Sequence, residues 1–161
     1  MKRHPGLHAL SEHHHHALVQ ALEIRRADQA PPSQRTRAVE RAARRFLQFW
    51  NQTGQYHFRE EEEVLLPFYA RHARLDEDPD VMCMLADHAS IRAQIQALEK
   101  ALEEKRPVDA ELTALGRLLH DHVRLEENQI FPRLESVLDE AELLALGQRL
   151  TRLHASKTGT H

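Results

Sequence analysis

The sequence is poor in cysteine, glycine and aromatic residues, and it has no long apolar run. Its 161 residues include one cysteine, five glycines and 5% aromatic residues. A single cysteine cannot form an internal disulfide or a thiolate zinc site. No apolar run approaches the roughly 18 residues of a membrane span, and the N-terminus lacks the apolar stretch of a signal peptide. We therefore expect a cytoplasmic protein that does not associate with a membrane.

The charge balance argues against a nucleic-acid partner. The chain has 22 Lys and Arg residues against 25 Asp and Glu residues, a formal net charge of −3 at pH 7. Nucleic-acid binding needs a basic surface, so we expect no nucleic-acid partner. What the sequence does have is histidine, at 13 positions, which is far more than a neutral domain of this length usually contains.

Helical periodicity dominates the sequence, and the helix breakers fall in short clusters. This pattern predicts an all-α protein with one domain over residues 1–154 and a frayed tail over residues 155–161. Short links favour antiparallel neighbours, so we predict an up-down-up-down four-helix bundle with a short additional C-terminal helix. Gly54 and Pro67 mark places where the second helix can kink. The predicted helices cover about residues 7–27, 34–74, 80–105, 109–134 and 139–154.

The second and fourth predicted helices contain a repeated motif. The stretches that begin at His57 and at His122 both have Glu four residues after the His and Pro ten residues after it. In such a bundle these two helices run parallel and hold equivalent groups at the same height. The His-x-x-x-Glu spacing places both side chains one turn apart on one helix face. His57 with Glu61 and His122 with Glu126 therefore form matching pairs.

The apolar residues of each helix define a core direction, and every histidine and glutamate can be compared with it at 100° per residue. Glu60 and His15 lie at the edge of the apolar face. The residues that point away from it are His13, His16, His120, Glu62, Glu63 and Glu127. The residues that face the core are His14, His57, Glu61, His88, His122 and Glu126.

These six core residues need a compensating cation. Burying an unpaired carboxylate costs several kcal/mol, and the cost of the whole cluster exceeds the roughly 5–15 kcal/mol that stabilises a domain. Imidazole nitrogen and carboxylate oxygen are both ligands for iron, manganese and zinc. With Glu61 and Glu126 as bridges and four terminal histidines, each of two ions would receive two oxygens and two nitrogens. Open positions would remain for a hydroxide or a small molecule.

Taken in chain order, these residues resemble the hemerythrin-like family of His-His-Glu cation-binding domains over about residues 7–132. The resemblance implies a non-haem di-iron centre in a four-helix bundle, with the six core residues as ligands and Glu61 and Glu126 as bridges. It also implies two iron ions joined by an oxo or hydroxo bridge, with manganese or zinc able to replace them. The expected partner is a small diatomic or peroxide ligand, because members have been linked to oxygen, nitric oxide and peroxide chemistry and to iron homeostasis.

The sequence departs from the oxygen-carrying members of that family on two helices. Those members have a His-x-x-x-His pair on the third helix, where this chain has Met84 four residues before His88 and Arg92 four residues after it. Their fourth helix has Asp five residues after the His, whereas Glu126 follows at four. A fifth histidine ligand is therefore missing, which favours activation of oxygen or peroxide over reversible oxygen carriage. Whether the protein is an enzyme stays open.

Two other classes of protein compete with a di-iron protein. A ferritin-like iron oxidase has Glu-x-x-His on two helices, and this chain has one match, Glu12 with His15. A zinc-dependent structural or interaction module would suit the imidazoles. However, structural zinc is usually four-coordinate and would leave two of the six groups without a role. We rank both below the di-iron protein.

Overall fold

The computed structural model describes residues 2–158, and every regular element in this range is helical. The all-α class predicted from the sequence is therefore confirmed. Five helices follow a short 3₁₀ turn, Pro5–Leu7. They are α1 (His8–Asp28), α2 (residues 32–69), α3 (Pro79–Glu103), α4 (residues 109–137) and α5 (Glu140–Thr158). None of the helices in this range is long and apolar enough to cross a bilayer.

Helix α5 extends further than the sequence predicted. It continues to Thr158, past His154, so that residues 155–158 are helical where we expected a frayed tail. Residues 159–161 of that predicted tail lie outside the described range.

Helices α2 and α4 are interrupted by π-helical segments, in which backbone hydrogen bonds reach one residue further than in an α-helix. The α-helical parts of α2 are Pro32–Phe49, Gln55–Glu60 and Leu66–Tyr69, joined by the π-helical segments Trp50–Gly54 and Glu61–Leu65. Those of α4 are Asp109–Leu125 and Phe131–Val137, joined by the π-helical segment Glu126–Ile130. In α2 the distortions thus lie at Gly54 and just before Pro67, the two predicted kink positions.

The repeated prolines account for two of these segments. A proline inside an α-helix has no N–H to donate, and its ring collides with the carbonyl four residues back. The wider π turn just before each proline makes room for the ring. It is closed by hydrogen bonds from the Leu66 N–H to the Glu61 carbonyl and from the Phe131 N–H to the Glu126 carbonyl. The repeated motif therefore encodes the same local distortion twice, and each distortion begins at a glutamate of the predicted site.

Asp78 fixes the start of α3. Its Oδ1 accepts hydrogen bonds from the backbone N–H groups of Asp80 and Val81, which caps the helix. The same carboxylate accepts a hydrogen bond from the Tyr69 hydroxyl at 2.8 Å and one from Arg133 at 2.6 Å. One side chain thus ties together the end of α2, the start of α3 and the C-terminal part of α4.

Two apolar clusters fill the interior, and the buried histidines touch both. The first contains Phe46 and Phe58, and the second contains Leu65 and Phe131. The ring of Phe58 stacks on His88 with a centroid distance of 3.8 Å, and that of Phe131 stacks on His14 at 5.1 Å. The layer of polar residues therefore lies between two apolar ones.

Helix α5 covers the second cluster with three buried leucines, Leu143, Leu146 and Leu150. Its backbone approaches the N-terminal turn very closely. A Cβ atom on Gly147 would lie 2.9 Å from the Cα of Gly6. Only glycine permits this approach, so the glycine at position 147 sets how α5 sits on the bundle.

Candidate metal centre

All six residues that the sequence predicted to face the core lie in one buried cluster. Each is at most 5% exposed, and Glu61 and Glu126 are fully buried. Helix α1 contributes His14, α3 contributes His88, and α2 and α4 each contribute one histidine and one glutamate. His14 is buried whereas His15 is exposed, which identifies His14 as the member from α1.

The first half of the cluster joins four side chains around two imidazole nitrogens. The Nε2 atoms of His14 and His57 lie 2.9 Å apart. Glu61 Oε1 lies 2.8 Å from His57 Nε2, and Glu126 Oε2 lies 2.7 Å from His14 Nε2. We call these four residues the His57 tetrad.

The second half contains His88 and His122 together with the same two glutamates, and we call it the His122 tetrad. Glu61 Oε2 lies 3.2 Å from His88 Nε2, and Glu126 Oε1 lies 2.9 Å from His122 Nε2. In each tetrad the four candidate ligand atoms lie within 4.8 Å of one another. Each glutamate thus presents one oxygen to each tetrad, which is the arrangement that a carboxylate bridge between two cations requires.

Several inner atoms of the cluster are buried and make no hydrogen bond of good geometry, although imidazole nitrogens and carboxylate oxygens lie as close as 2.7 Å to one another. They are both carboxylate oxygens of Glu61, both carboxylate oxygens of Glu126, and the Nε2 atoms of His88 and His122. An unsatisfied buried polar atom costs about 1–3 kcal/mol, and a charged one costs more. Metal ions would satisfy these atoms, and a set of imidazole and carboxylate donors suits iron, manganese and zinc. The residues therefore fit a metal centre.

In the absence of a metal, protons on the imidazoles take the place of its positive charge. Burial opposes charge on His88 and on His122, but the adjacent Glu126 and Glu61, joined at His122 by Asp87, outweigh it. They raise the pKa of His88 to about 10 and that of His122 to about 9. Burial and the charge of Glu61 favour a neutral Glu126, yet His122 and His14 bring the pKa of Glu126 down to about 2. A metal ion must displace these protons when it binds.

Two glutamates outside the cluster orient histidines within it. His14 Nδ1 lies 2.7 Å from Glu127 Oε1, and His88 Nδ1 lies 2.7 Å from Glu62 Oε1. Each outer glutamate directly follows a shared glutamate in the sequence and contacts a histidine on another helix. Such outer hydrogen bonds fix the ring orientation and raise the basicity of a ligating histidine. The periodicity of an ideal helix predicts that both of these glutamates point outward, whereas the structure brings each of them to a histidine of the cluster.

Each outer glutamate is in turn held by an arginine. Arg3 Nη2 lies 2.7 Å from Glu127 Oε2, and Arg92 Nη1 lies 2.9 Å from Glu62 Oε1. Burial raises the pKa of Glu127, but His14 and the hydrogen bonds from Ser11 and Arg3 lower it to about 2. At Glu62 burial also raises the pKa, but Arg92 and His88 lower it below its ordinary value. Both outer glutamates are therefore anionic at neutral pH and able to accept a hydrogen bond from a histidine N–H. Arg92, which the sequence showed only as a departure from a family pattern, takes part in this layer.

The two histidines of the repeated motif have different outer partners. His122 Nδ1 lies 3.4 Å from Asp87 Oδ2, whereas His57 Nδ1 lies 3.2 Å from His13 Nδ1. Each partner directly precedes the inner histidine of its own helix. Burial, together with the electrostatic influence of His57 and other nearby histidines, lowers the pKa of His13 to about 4. His13 is therefore a neutral imidazole at neutral pH.

Glu60 is a buried residue of this region that the sequence placed only at the edge of the apolar face. It is 2% exposed, and its Oε2 lies 3.6 Å from His13 Nδ1. The repeat itself contains a signal for it, because the equivalent position in the second copy is Leu125. A glutamate at a position where the second copy of the motif has a leucine is a sign of a buried carboxylate.

A small cavity borders the cluster. Its volume is about 20 Å³, and its lining includes His14, His57 and His122 together with apolar side chains such as those of Phe46 and Leu119. This is room for roughly one water-sized molecule. The cavity beside the inner histidines therefore admits only very small molecules.

Comparison with known proteins gives one match. The family model of the Hemerythrin HHE cation binding domain matches residues 6–134. This range includes the whole of both tetrads and excludes α5. No curated protein and no solved structure matches the chain.

Proposed function

The chain belongs to the hemerythrin HHE cation-binding domain family, and from this premise we propose that it is a non-haem di-iron protein that binds or reacts with O₂, NO or peroxide. Cation binding follows from the family and from the buried cluster. The choice of two ions rests on one observation, that Glu61 and Glu126 each present one oxygen to each tetrad. A single ion would leave the donors of one tetrad uncompensated.

The donor set supports iron. Each tetrad offers two imidazole nitrogens and two carboxylate oxygens, a hard and borderline set that suits iron in non-haem sites with open positions. When bound, iron supplies the one-electron and oxygen chemistry that amino-acid side chains lack. Manganese and zinc share the same donors, so the identity of the metal is part of the proposal.

The residues around the tetrads favour a small ligand. The neighbouring cavity of about 20 Å³ fits a diatomic molecule or peroxide far better than a metabolite. Phe58 and Phe131 stack on histidines of the two tetrads and keep bulk water from the cluster. Glu62 and Glu127 hold two of the histidine rings in place. Turnover of peroxide or NO would make the protein an oxidoreductase, whereas binding alone would suit sensing or storage.

Two further parts of the proposal concern the order of the helices around the site and the location of the protein in the cell. The antiparallel up-down-up-down order of α1 to α4 is supported by the short connections between them, residues 29–31, 70–78 and 104–108. A cytoplasmic location is an expectation of the sequence, and fractionation of cells that express the protein would test it.

The test of the proposed function is to load the metal-free protein with Fe²⁺ under anaerobic conditions and to remove excess metal by gel filtration. We expect two irons per chain. After oxidation we expect visible absorption typical of an oxo bridge, new charge-transfer bands on addition of azide, and a spectral response of the reduced protein to O₂, NO or peroxide. One tightly bound zinc per chain and no visible absorption after iron loading would contradict the proposal.

A further inference from the structure

Arg92 belongs to a group of four contacting side chains beside the His122 tetrad. Its Nη1 lies 2.9 Å from Glu62 Oε1, and the same oxygen lies 2.7 Å from His88 Nδ1. The His88 ring stacks on that of Phe58 at a centroid distance of 3.8 Å. The guanidinium carbon of Arg92 lies 5.3 Å from the centre of the same phenylalanine ring, within the range of a cation–π contact. We call Phe58, Glu62, His88 and Arg92 the Arg92 quartet.

The His57 tetrad has a group of the same four residue types, which we call the Arg3 quartet. Arg3 Nη2 lies 2.7 Å from Glu127 Oε2, and the other oxygen of Glu127 lies 2.7 Å from His14 Nδ1. The His14 ring stacks on that of Phe131. The guanidinium carbon of Arg3 lies 5.3 Å from the centre of the Phe131 ring. Each tetrad is thus bordered by one arginine, glutamate, histidine and phenylalanine in mutual contact.

The repeated motif relates only the glutamates of the two quartets. Phe58 is equivalent to Val123 in the second copy, so the phenylalanines come from positions that do not correspond. The arginines do not correspond either. Arg92 lies on α3, four residues after its histidine, whereas Arg3 precedes α1 and lies eleven residues before its histidine. The same arrangement is therefore built twice from unrelated positions, which indicates that the arginines serve the histidines and are not a by-product of the repeat.

The outer glutamates need a partner that holds them on the histidines. The side chains of Glu62 and Glu127 are 30% and 24% exposed, so each carboxylate can turn to solvent instead. A glutamate also loses rotamer freedom when it is fixed. A guanidinium presents its donors in a planar fork that matches a carboxylate, and Arg92 contacts both oxygens of Glu62, at 2.9 and 3.4 Å. An arginine packed on a phenylalanine ring therefore selects the rotamer in which the carboxylate accepts the histidine N–H.

We propose that Arg92 and Arg3 are positioning residues of the metal centre. Each acts through its glutamate on the orientation and basicity of one ligating histidine, and so on the affinity of one tetrad for metal. The proposal deepens the proposed function, but it rests only on metal binding by the cluster and not on the choice of iron. Arg3 lies outside residues 6–134, the range that the family model matches, so the segment before α1 adds to the centre of this chain.

The test is a double-mutant cycle on Arg92 and Glu62 in the full-length protein, with the affinity for Zn²⁺ measured by competition with a chromophoric chelator. We expect Arg92→Gln to weaken binding about tenfold, the lower end of outer-layer effects. In a Glu62→Gln background the same change should weaken it by less than about a further twofold, because residues that act through one contact are not additive. Arg3→Gln should behave in the same way with Glu127→Gln.

Arg59→Gln is the matched control, because Arg59 forms an equivalent ion pair with Glu63 at 2.9 Å and belongs to neither quartet. It should leave the zinc affinity unchanged. Arg92 is 39% exposed, so the metal-free Arg92→Gln and Arg59→Gln proteins should melt at similar temperatures, which shows that lost affinity is not lost folding. In iron-loaded protein Arg92→Gln should also raise the reduction potential, because a less basic histidine stabilises Fe³⁺ less, and Arg59→Gln should not.

Two results would overturn the proposal. One is a zinc affinity of Arg92→Gln equal to that of the wild type. The other is a full tenfold loss from Arg92→Gln in the Glu62→Gln background, which would show that the arginine does not act through the glutamate. These results are independent of the proposed function. A protein that binds zinc but no iron pair would contradict that function and leave the zinc cycle intact.

Discussion

The two copies of the motif are alike where they face each other and different where they face outward. His57 with Glu61 on α2 and His122 with Glu126 on α4 make the same contact one turn apart, at 2.8 and 2.9 Å. Each glutamate opens a π-helical segment, and each is followed by a residue that orients a histidine of another helix. The shared features are those that a symmetric pair of metal ions requires.

The difference lies in what stands behind each motif histidine. Behind His122 the structure has a carboxylate, Asp87. Behind His57 it has an imidazole, that of His13, whose Nδ1 lies 3.2 Å from His57 Nδ1. His13 in turn contacts Glu60. The two tetrads are thus equal in their donors and unequal in their surroundings. Equal donors predict that the two ions bind as a pair, and unequal surroundings predict that they exchange with solvent by different routes.

Removal of a shared glutamate is expected to have the largest effect. Glu61→Ala takes one donor from each tetrad, so iron content should fall from two per chain to near zero, and Glu126→Ala should do the same. Glu63→Ala is the matched control, because this neighbouring side chain is half exposed and pairs with Arg59. It should keep both irons. A Glu61→Ala protein with one tightly bound iron would break the comparison, because the tetrads would then be independent.

The stability gained from metal should grow as the pH rises. The pKa values of His88 and His122 are raised above the ordinary 6.5 to about 10 and about 9. Their protons therefore stabilise the metal-free protein fully below pH 6.5, and this contribution is lost as the pH rises through 9 to 10. In the metal-loaded protein the metal ions take the place of these protons, so its stability does not fall in the same way as the pH rises. The difference in melting temperature between loaded and metal-free protein should be larger at pH 9 than at pH 6.5, and a constant difference would contradict the assignment.

Substitution of either outer glutamate should have an intermediate and symmetric effect. Glu62→Gln and Glu127→Gln each weaken a charge-assisted hydrogen bond to a histidine, so we expect metal affinity to fall about 10- to 100-fold. Competition with a chromophoric chelator measures this change. Glu63→Gln is the control and should leave the affinity unchanged. A loss in only one of the two outer variants would show that the repeat is structural and not functional.

The smallest effect is expected where the two copies differ. The contact between Asp87 and His122 is long, at 3.4 Å, so Asp87→Asn should weaken metal binding by no more than about tenfold, the lower end of outer-layer effects. The same chelator competition applies. An effect larger than that of Glu62→Gln would mean that Asp87 contributes more than its distance indicates, and the contrast with His13 would have to be redrawn.

The inner half of the site could be predicted from the sequence because it depends on helix periodicity alone. His14, His57, His88 and His122 were placed on the core faces of four helices, and the structure buries all four. The outer glutamates could not be found in this way. The π-helical turns begin at Glu61 and Glu126 and change the rotation of the residues that follow, which an ideal 100° step does not include.

The contact between His154 on α5 and Glu60 on α2 depends on tertiary structure. His154 reaches Glu60 only because α5 folds back over the second apolar cluster, where Gly147 lies against Gly6. Periodicity within α5 contains no information about that contact. The extra length of α5 beyond His154 is likewise not predicted from the sequence, because terminal residues are expected to fray, whereas the helix continues to Thr158.

X-ray absorption at the iron edge, on iron-loaded full-length protein after gel filtration, tests the bridged pair of ions most directly. If Glu61 and Glu126 bridge the two tetrads, the spectrum should show a second iron within about 4 Å, the upper end of the usual separation in two-metal sites. The feature should be lost in Glu61→Ala and kept in Glu63→Ala. A shell of nitrogen and oxygen neighbours with no second iron in the fully loaded wild type would contradict the account.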